Sequence, residues 1–235
     1  MAVNREQQES TRKYYNNYSS SQKIIGVNIR HRTILKKAIS EGMNDKSSVL
    51  EIGCGIGTFT SLLAKEVSQG EVLAVDISDE SIKQAKRNLE KHKNISFQVT
   101  DMSDFKLPDR FDFFIFPDVL EHIPIDQHEA LFQTLAAHSH KKSKILIHLP
   151  HPTFIEWLAN HEPEKMQIID QPVHSDQLTS DAYKSGWILD KLISYSLYHE
   201  NPDYQWIVLK RNVPYDTMEK RGKVTLKIAD FRSKL

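Results

Sequence analysis

Glu51 stands two residues ahead of Gly53, Gly55 and Gly57 in the run LEIGCGIGTFT, which holds three of the chain's eight glycines. Glycines spaced this way let backbone turn tightly and come close to a ligand or another segment. Three kinds of neighbour are open at this point: a pyrophosphate, a cationic nucleoside or another strand. A phosphate-binding loop needs G-x-x-x-x-G-K-[ST], and Lys65 comes too late for it. A dinucleotide loop of the G-x-G-x-x-G kind needs its third glycine where this chain has Thr58. The acid decides between what remains, because a carboxylate repels a pyrophosphate and attracts a cation. Cys54, the only cysteine, is glycine-flanked and reads as a small buried spacer, not a nucleophile.

The elements that must position this loop follow from the hydrophobic pattern. SVLEIG reads as a buried strand, and Phe59, Leu62, Leu63 and Val67 stripe the helix after it, closed by Gly70. EVLAVDI is a second strand, and Ser78 caps a helix carrying Ile82, Ala85 and Leu89, with Asp79 and Lys83 as an i,i+4 pair. ISFQV, FDFFIF and SKILIHL continue the alternation, with a helix over 127–140 between the last two. The fold class expected is α/β: a Rossmann-like, doubly wound, seven-stranded sheet, mostly parallel, with right-handed crossovers. WILDKLISYSLY and YQWIVLKR, joined by the polar turn HENPD, close it as an antiparallel hairpin. Residues 5–42 read as two helices, and 151–186 as a helical or irregular insertion. The chain thus divides into an N-terminal helical cap (1–42), a core domain (43–211) and a charged extension (212–235).

With these elements in place, LEIGCGIGTFT resembles motif I, E/D-x-G-x-G-x-G, of the class I S-adenosylmethionine-dependent methyltransferases. AVDIS, VTDMSD and FPDVLEHIP are similar to that family's later motifs, in order and spacing, across residues 47–150; the D-x-L-E-H run matches its segment after strand four. The resemblance implies S-adenosyl-L-methionine as cofactor and S-adenosyl-L-homocysteine as product. It implies that Asp76 meets the ribose hydroxyls and Asp101 the adenine amino group, with Met102 against the ring. Glu51, Gly53, Cys54, Gly55, Gly57, Thr58, Ile77, Asp118 and Val119 complete the cofactor-facing set. Residues 14–22, YYNNYSSSQ, are similar to the lid helix of small-molecule methyltransferases, which makes Tyr14, Tyr15 and Tyr18 candidate pocket walls.

Methyl transfer asks the protein to align a nucleophile, exclude water and remove a proton if the acceptor is a hydroxyl. His122, in the loop beyond strand four, is the first candidate base; His148 and His151, flanking LP after strand five, face the same rim. Arg30 could meet an anionic acceptor group, and His174 belongs to the substrate side. No Asp/Asn cluster of the metal-assisted kind is visible, so no metal is expected, and His138 and His140 are expected to face solvent. The insertion's His151, Trp157, His161, Asp170, His174 and Asp176 suggest a hydroxylated acceptor, a sugar or glycan precursor, over a lipid or quinone. A noncatalytic module of the same fold is the competing class, and the intact acidic and glycine positions weigh against it.

Thirty-one basic and thirty-one acidic residues cancel, so no net field draws nucleic acid, and FPDVLE lacks the N/D/S-P-P-Y/F/W run of nucleic-acid amino methyltransferases. The polar opening MAVNREQQES and the absence of any apolar run near ~18 residues lead to the expectation of a cytoplasmic protein without stable membrane insertion. A homodimer is left open.

Overall fold

A computed structural model describes residues 5–21, 26–103, 105–106 and 110–214, with side chains of the first helix described for 9–17. Most of the expected extension therefore lies outside the described residues, as does the side chain of Tyr18. The strands are β1 (Ser48–Ile52), β2 (Glu71–Asp76), β3 (Ile95–Val99), β4 (Phe111–Pro117), β5 (Ser139–Pro150), β6 (Trp187–Tyr195) and β7 (Tyr204–Arg211). They form one sheet in the order β3-β2-β1-β4-β5-β7-β6, parallel throughout except for β7, which runs antiparallel to both β5 and β6. The hairpin reading was right, with β7 taking the inner place and β6 the edge. Asp203 ties the hairpin turn by accepting the backbone N–H groups of Leu197 and Tyr198 at 2.7 and 2.9 Å.

The helices are α1 (Arg5–Ser21), α2 (Ile29–Ser40), α3 (Thr60–Glu66), α4 (Asp79–Asn88), α5 (His128–Ala137), α6 (Pro152–His161) and α7 (Ser175–Lys184). Alternate strand residues bury opposite faces, the period-2 signature of a sheet covered on both sides. Val49, Ile115, Leu146 and Val208 pack with Ile34, Ala38 and Leu63 of α2 and α3. Leu50, Phe114, Phe116 and Ile147 pack with Leu131, Phe132 and Leu178 of α5 and α7. Glu51 shares the parity of Val49, so its side chain joins the α2–α3 side of the sheet.

Two expectations need correction. The helix over 127–140 stops at Ala137, because the ring Nδ1 of His138 donates to the Thr134 carbonyl at 2.9 Å and the Ser139 hydroxyl to that of Ala136 at 2.7 Å. Those caps satisfy the last turn's carbonyls and let β5 start at once. His138 does not face solvent: it is buried with its ring on Phe105, and His140 is half-buried against Asp112 at 2.9 Å.

Chain order outward from β1 goes to β2 and β3 on one side and from β4 to β5 on the other. The sheet therefore has its switch point between β1 and β4, where strand-end loops diverge and leave a crevice. No helix among the described residues is long and apolar enough to cross a membrane.

Candidate active site

At that switch point a cavity of about 410 Å³ runs beneath α1 and α6. Gly53 and Gly55 after β1, Asp76 at the end of β2 with Ile77 after it, and Asp101 and Met102 after β3 line it. Asp118, Val119, Glu121 and His122 after β4 line it as well, with Phe154, Leu158, Gln167 and Asp170 of the insertion.

The glycines have separate reasons. Gly53 has φ +75°, and a Cβ there would lie 2.3 Å from the Val119 side chain, so the post-β4 segment can cross the loop only over a glycine. Gly57 (φ +86°) would meet Leu89 at 2.9 Å and Ala85 at 3.3 Å, and so lets α4 pack on the loop. At Gly55 (φ +52°) a Cβ would meet nothing within 4 Å, and the residue borders the cavity. Gly53→Ala should therefore cost roughly 1–3 kcal/mol of stability through strain and the clash with Val119. Urea unfolding checks this, and adding Val119→Ala should recover the steric share; equal losses with and without Val119 would remove the packing explanation.

Asp76 is held in place by two backbone donors, Gly55 N–H on one oxygen and Ser78 N–H on the other, both at 2.8 Å. Burial raises its pKa and those two bonds oppose the rise. Ser78 also caps α4 through the Ser81 N–H, as expected, and Lys83 reaches Asp79 at 3.3 Å. Asn16 of α1 completes this corner: its side chain donates to Asp79 at 2.9 Å and accepts from the Ser78 hydroxyl at 2.7 Å. That clamp seats α1 over the cavity, where Thr11 and Tyr15 line it. Asn16 carried no signal in the sequence beyond its polarity.

Asp101 accepts from the Ser103 N–H and hydroxyl at 3.0 and 2.7 Å and keeps its place on the cavity wall. Met102 and Asp118 both take left-handed backbone (φ 68° and 60°), the conformation that turns each strand end into the cavity rim. Glu51, Cys54, Gly57 and Thr58 do not border the cavity. Glu51 lies fully buried behind it, and that burial pushes its carboxyl up to about 8 while Thr60 pulls it down. Neither oxygen has a well-formed hydrogen bond among the described residues.

The candidate histidines separate. His148 is fully buried, with Nδ1 on Asp118 and Nε2 on the Tyr195 hydroxyl at 2.6 Å. Both nitrogens are thus occupied, and His148, read from the sequence as a candidate base, does not border the cavity. His151 caps α6 through Thr153, and His174 is exposed beside Glu156 at 3.3 Å; neither borders the cavity. Tyr14 packs edge-on against Tyr15 at 5.3 Å and also stays off the wall. Arg30 does line it, in an ion pair with Asp118 at 2.9 Å, and Tyr204 bonds the same guanidinium. Burial disfavours ionised Asp118, but His148 and Arg30 outweigh it and hold its pKa below the ordinary carboxylate range. The neighbouring His31 is buried within the Asn28 capping box of α2, and desolvation lowers it to about 4.

His122 is the histidine on the cavity. Burial opposes its protonation, yet Glu121 and Asp170 overcome that and raise it to about 9. Glu121 is itself raised by burial. Of the insertion residues expected at the substrate, Asp170 alone borders the cavity; Trp157 is 45% exposed, and His161 and Asp176 lie outside. The wall is made by Phe154, Ile155 and Leu158, spaced to share one face of α6, a period-3.6 signal readable in PTFIEWLANH.

Among the described residues, no group of three or more His, Cys, Asp or Glu side chains is arranged to hold a metal. Residues 49–142 match a family model described as a methyltransferase domain. Nodulation protein S of Rhizobium tropici is 29% identical over 94 residues, 40% of this chain and 38% of that protein. (S)-coclaurine N-methyltransferase of Thalictrum flavum subsp. glaucum is 27% identical over 168 residues, 68% of this chain and 41% of that enzyme. The chain thus spans less than half the length of these curated relatives. Among solved structures, magnesium protoporphyrin IX methyltransferase from Synechocystis PCC 6803 with bound SAH superposes with a TM-score of 0.66 at 16% identity, covering 87% of this chain and 99% of that one. The DhpI–SAH complex gives 0.66 at 19% identity, covering 89% and 98%. These likenesses establish the Rossmann-like methyltransferase fold.

Proposed function

We propose that this chain is an S-adenosylmethionine-dependent methyltransferase that O-methylates a small molecule with an apolar body and a hydroxyl at its polar end. The observation that carries the reading is a single cavity lined by Asp76, Gly55 and Asp101 together with His122. The methyltransferase-domain match over 49–142 and the SAH-bound neighbours of the same fold support it.

The residues suit the cofactor chemically. Asp76 and Asp101 are carboxylate acceptors for ribose hydroxyls and an adenine amino group, and the open space at Gly55 accepts close backbone approach. Glu51, buried behind the loop and raised to about 8, is largely protonated near neutrality as it stands, and a cation arriving nearby would favour its ionised form. Bound there, the cofactor supplies a methyl group already activated by its sulfonium. The chain's own residues do the rest. Thr11 and Tyr15 cover the cavity and limit water, while Phe154, Ile155 and Leu158 take the apolar body of the acceptor. His122 Nε2 is the site for the hydroxyl's proton, and Arg30, neutralised by Asp118, adds no net charge. A sugar or glycan precursor, attractive from the insertion's composition, matches this wall less well than an acceptor with an apolar body. Of the expected cap, α1 serves as the lid in this reading, while α2 packs against the sheet.

Calorimetric titration of the full chain with S-adenosylmethionine tests it: binding with Kd below about 100 µM is expected, and no heat at that concentration would overturn the reading. Asp76→Ala should weaken that binding by about 1–3 kcal/mol, the scale of a lost charge-assisted hydrogen bond. An unchanged Kd in a folded variant would take Asp76 out of the site.

A further inference from the structure

We infer that Asp170, delivered by the loop between α6 and α7, is a positioning residue that locks His122 in one tautomer with Nε2 left for the cavity. His122 Nδ1 lies 2.6 Å from the Ile169 carbonyl and 2.9 Å from Asp170 Oδ1. A carbonyl can only accept, so Nδ1 carries the proton and donates to both. Nε2 is then the basic nitrogen, beside the Gln167 amide at 3.3 Å and Glu121 Oε1 at 3.8 Å, and both of those residues border the cavity. An acceptor hydroxyl entering there takes the place that Gln167 holds.

The loop is built to hold this arrangement. Asp170 Oδ2 accepts the Gln167 N–H at 2.7 Å, closing the turn on itself. Gln171 fastens the turn to the post-β4 segment twice, its N–H donating to the Glu121 carbonyl at 3.2 Å and its side chain to that of Ile123 at 2.6 Å. His122 and Asp170 side chains are 14% and 10% exposed, so water competes weakly for their bond. Every charged or titratable group facing the imidazole enters the same balance: Glu121 beside it, Asp170 from the loop, Asp118 at the end of β4, and Tyr15 of α1 with its ring 6.3 Å away. Asp170 is the one of these whose carboxylate bonds Nδ1, and with the Ile169 carbonyl on the same nitrogen it holds the Nδ1–H tautomer. Through this contact the insertion, remote in sequence from the LEH run, sets the state of its histidine.

The inference rests on the methyltransferase reading only for what the positioned nitrogen serves. Its test is nitrogen-15 NMR of histidine-labelled full chain, wild type against Asp170→Asn and Asp170→Glu, with S-adenosylmethionine calorimetry alongside. Wild type should show His122 as the Nδ1–H tautomer on deprotonation. Asp170→Asn should lower the His122 midpoint by roughly one pH unit or more, and Asp170→Glu should restore most of it. An Nε2–H tautomer in the wild type overturns the inference even if Asp170→Asn does not fold, and so does an unmoved midpoint in a folded Asp170→Asn. Absent cofactor binding with the NMR result intact would instead sink the methyltransferase reading and leave the His122–Asp170 pair standing.

Discussion

Turnover should fall by about 10² or more when His122 becomes alanine, while S-adenosylmethionine affinity stays within about twofold of wild type. The asymmetry follows from where the residue sits. In the proposed reading His122 serves the acceptor and Asp76 and Gly55 the cofactor, and the bonds of the imidazole Nδ1 go to Ile169 and Asp170. Removing it takes away the proton acceptor and leaves the cofactor's contacts whole. The pH dependence supplies an independent check. A base must be unprotonated to work, and Glu121 and Asp170, against the opposing effect of burial, hold His122 protonated up to about 9. Turnover of the wild type should therefore climb with pH from neutrality toward that value, close to tenfold per unit below it, and then level off. His122→Ala should lose that limb. Release of S-adenosylhomocysteine, followed from about pH 6 to about pH 10 with any acceptor that a screen identifies, reads both effects. A fully active His122→Ala would make alignment alone the mechanism.

Asp118→Asn should destabilise the fold by about 2–3 kcal/mol at neutral pH. Asp118 joins Arg30 at 2.9 Å to His148, which in turn holds Tyr195, so one carboxylate compensates a cation and orients an imidazole beneath the cavity floor. Losing one partner of a fully buried pair costs about 3–5 kcal/mol; the Arg30 side chain keeps 33% of its surface in solvent, which trims the figure. Asparagine isolates the charge, since it tolerates the left-handed backbone at this position and can still accept from His148. The sign of the pH effect is fixed by the depressed pKa. The carboxylate's contribution is complete above its unfolded value near ~3.9 and is lost as pH falls through the lower folded value. The gap between wild type and Asp118→Asn in urea unfolding should thus close in acid. A gap independent of pH would mean that packing, not charge, is what the substitution removes.

Much of the fold was legible because strand and helix periods are local properties. Val49, Leu50 and Ile52 announce a strand buried on both faces before any partner is known, and Ser78 announces its helix by the chemistry of a cap. The cofactor end was legible for a related reason. Gly53, Gly55, Asp76, Asp101 and Met102 sit at or just beyond the ends of neighbouring parallel strands at one edge of the sheet, so the alternation of elements itself gathers them there.

The acceptor end was different. His148 lies near the end of β5 and His122 just beyond β4, and nothing in their neighbours along the chain says that one is enclosed by Asp118 and Tyr195 while the other meets open space. Side-chain environment is a long-range property. The partner of His122 lies 48 residues on, in Asp170, and the partner of Asp79 lies 63 residues back, in Asn16. Composition misleads for the same reason: the insertion's histidines turn to solvent while its Phe154, Leu158 and Asp170 turn inward. By itself, the sequence determined the sheet, its loops and the carboxylates they carry. Only the tertiary structure decided which histidine reaches the cavity, because that depends on which segments pack over the strand ends.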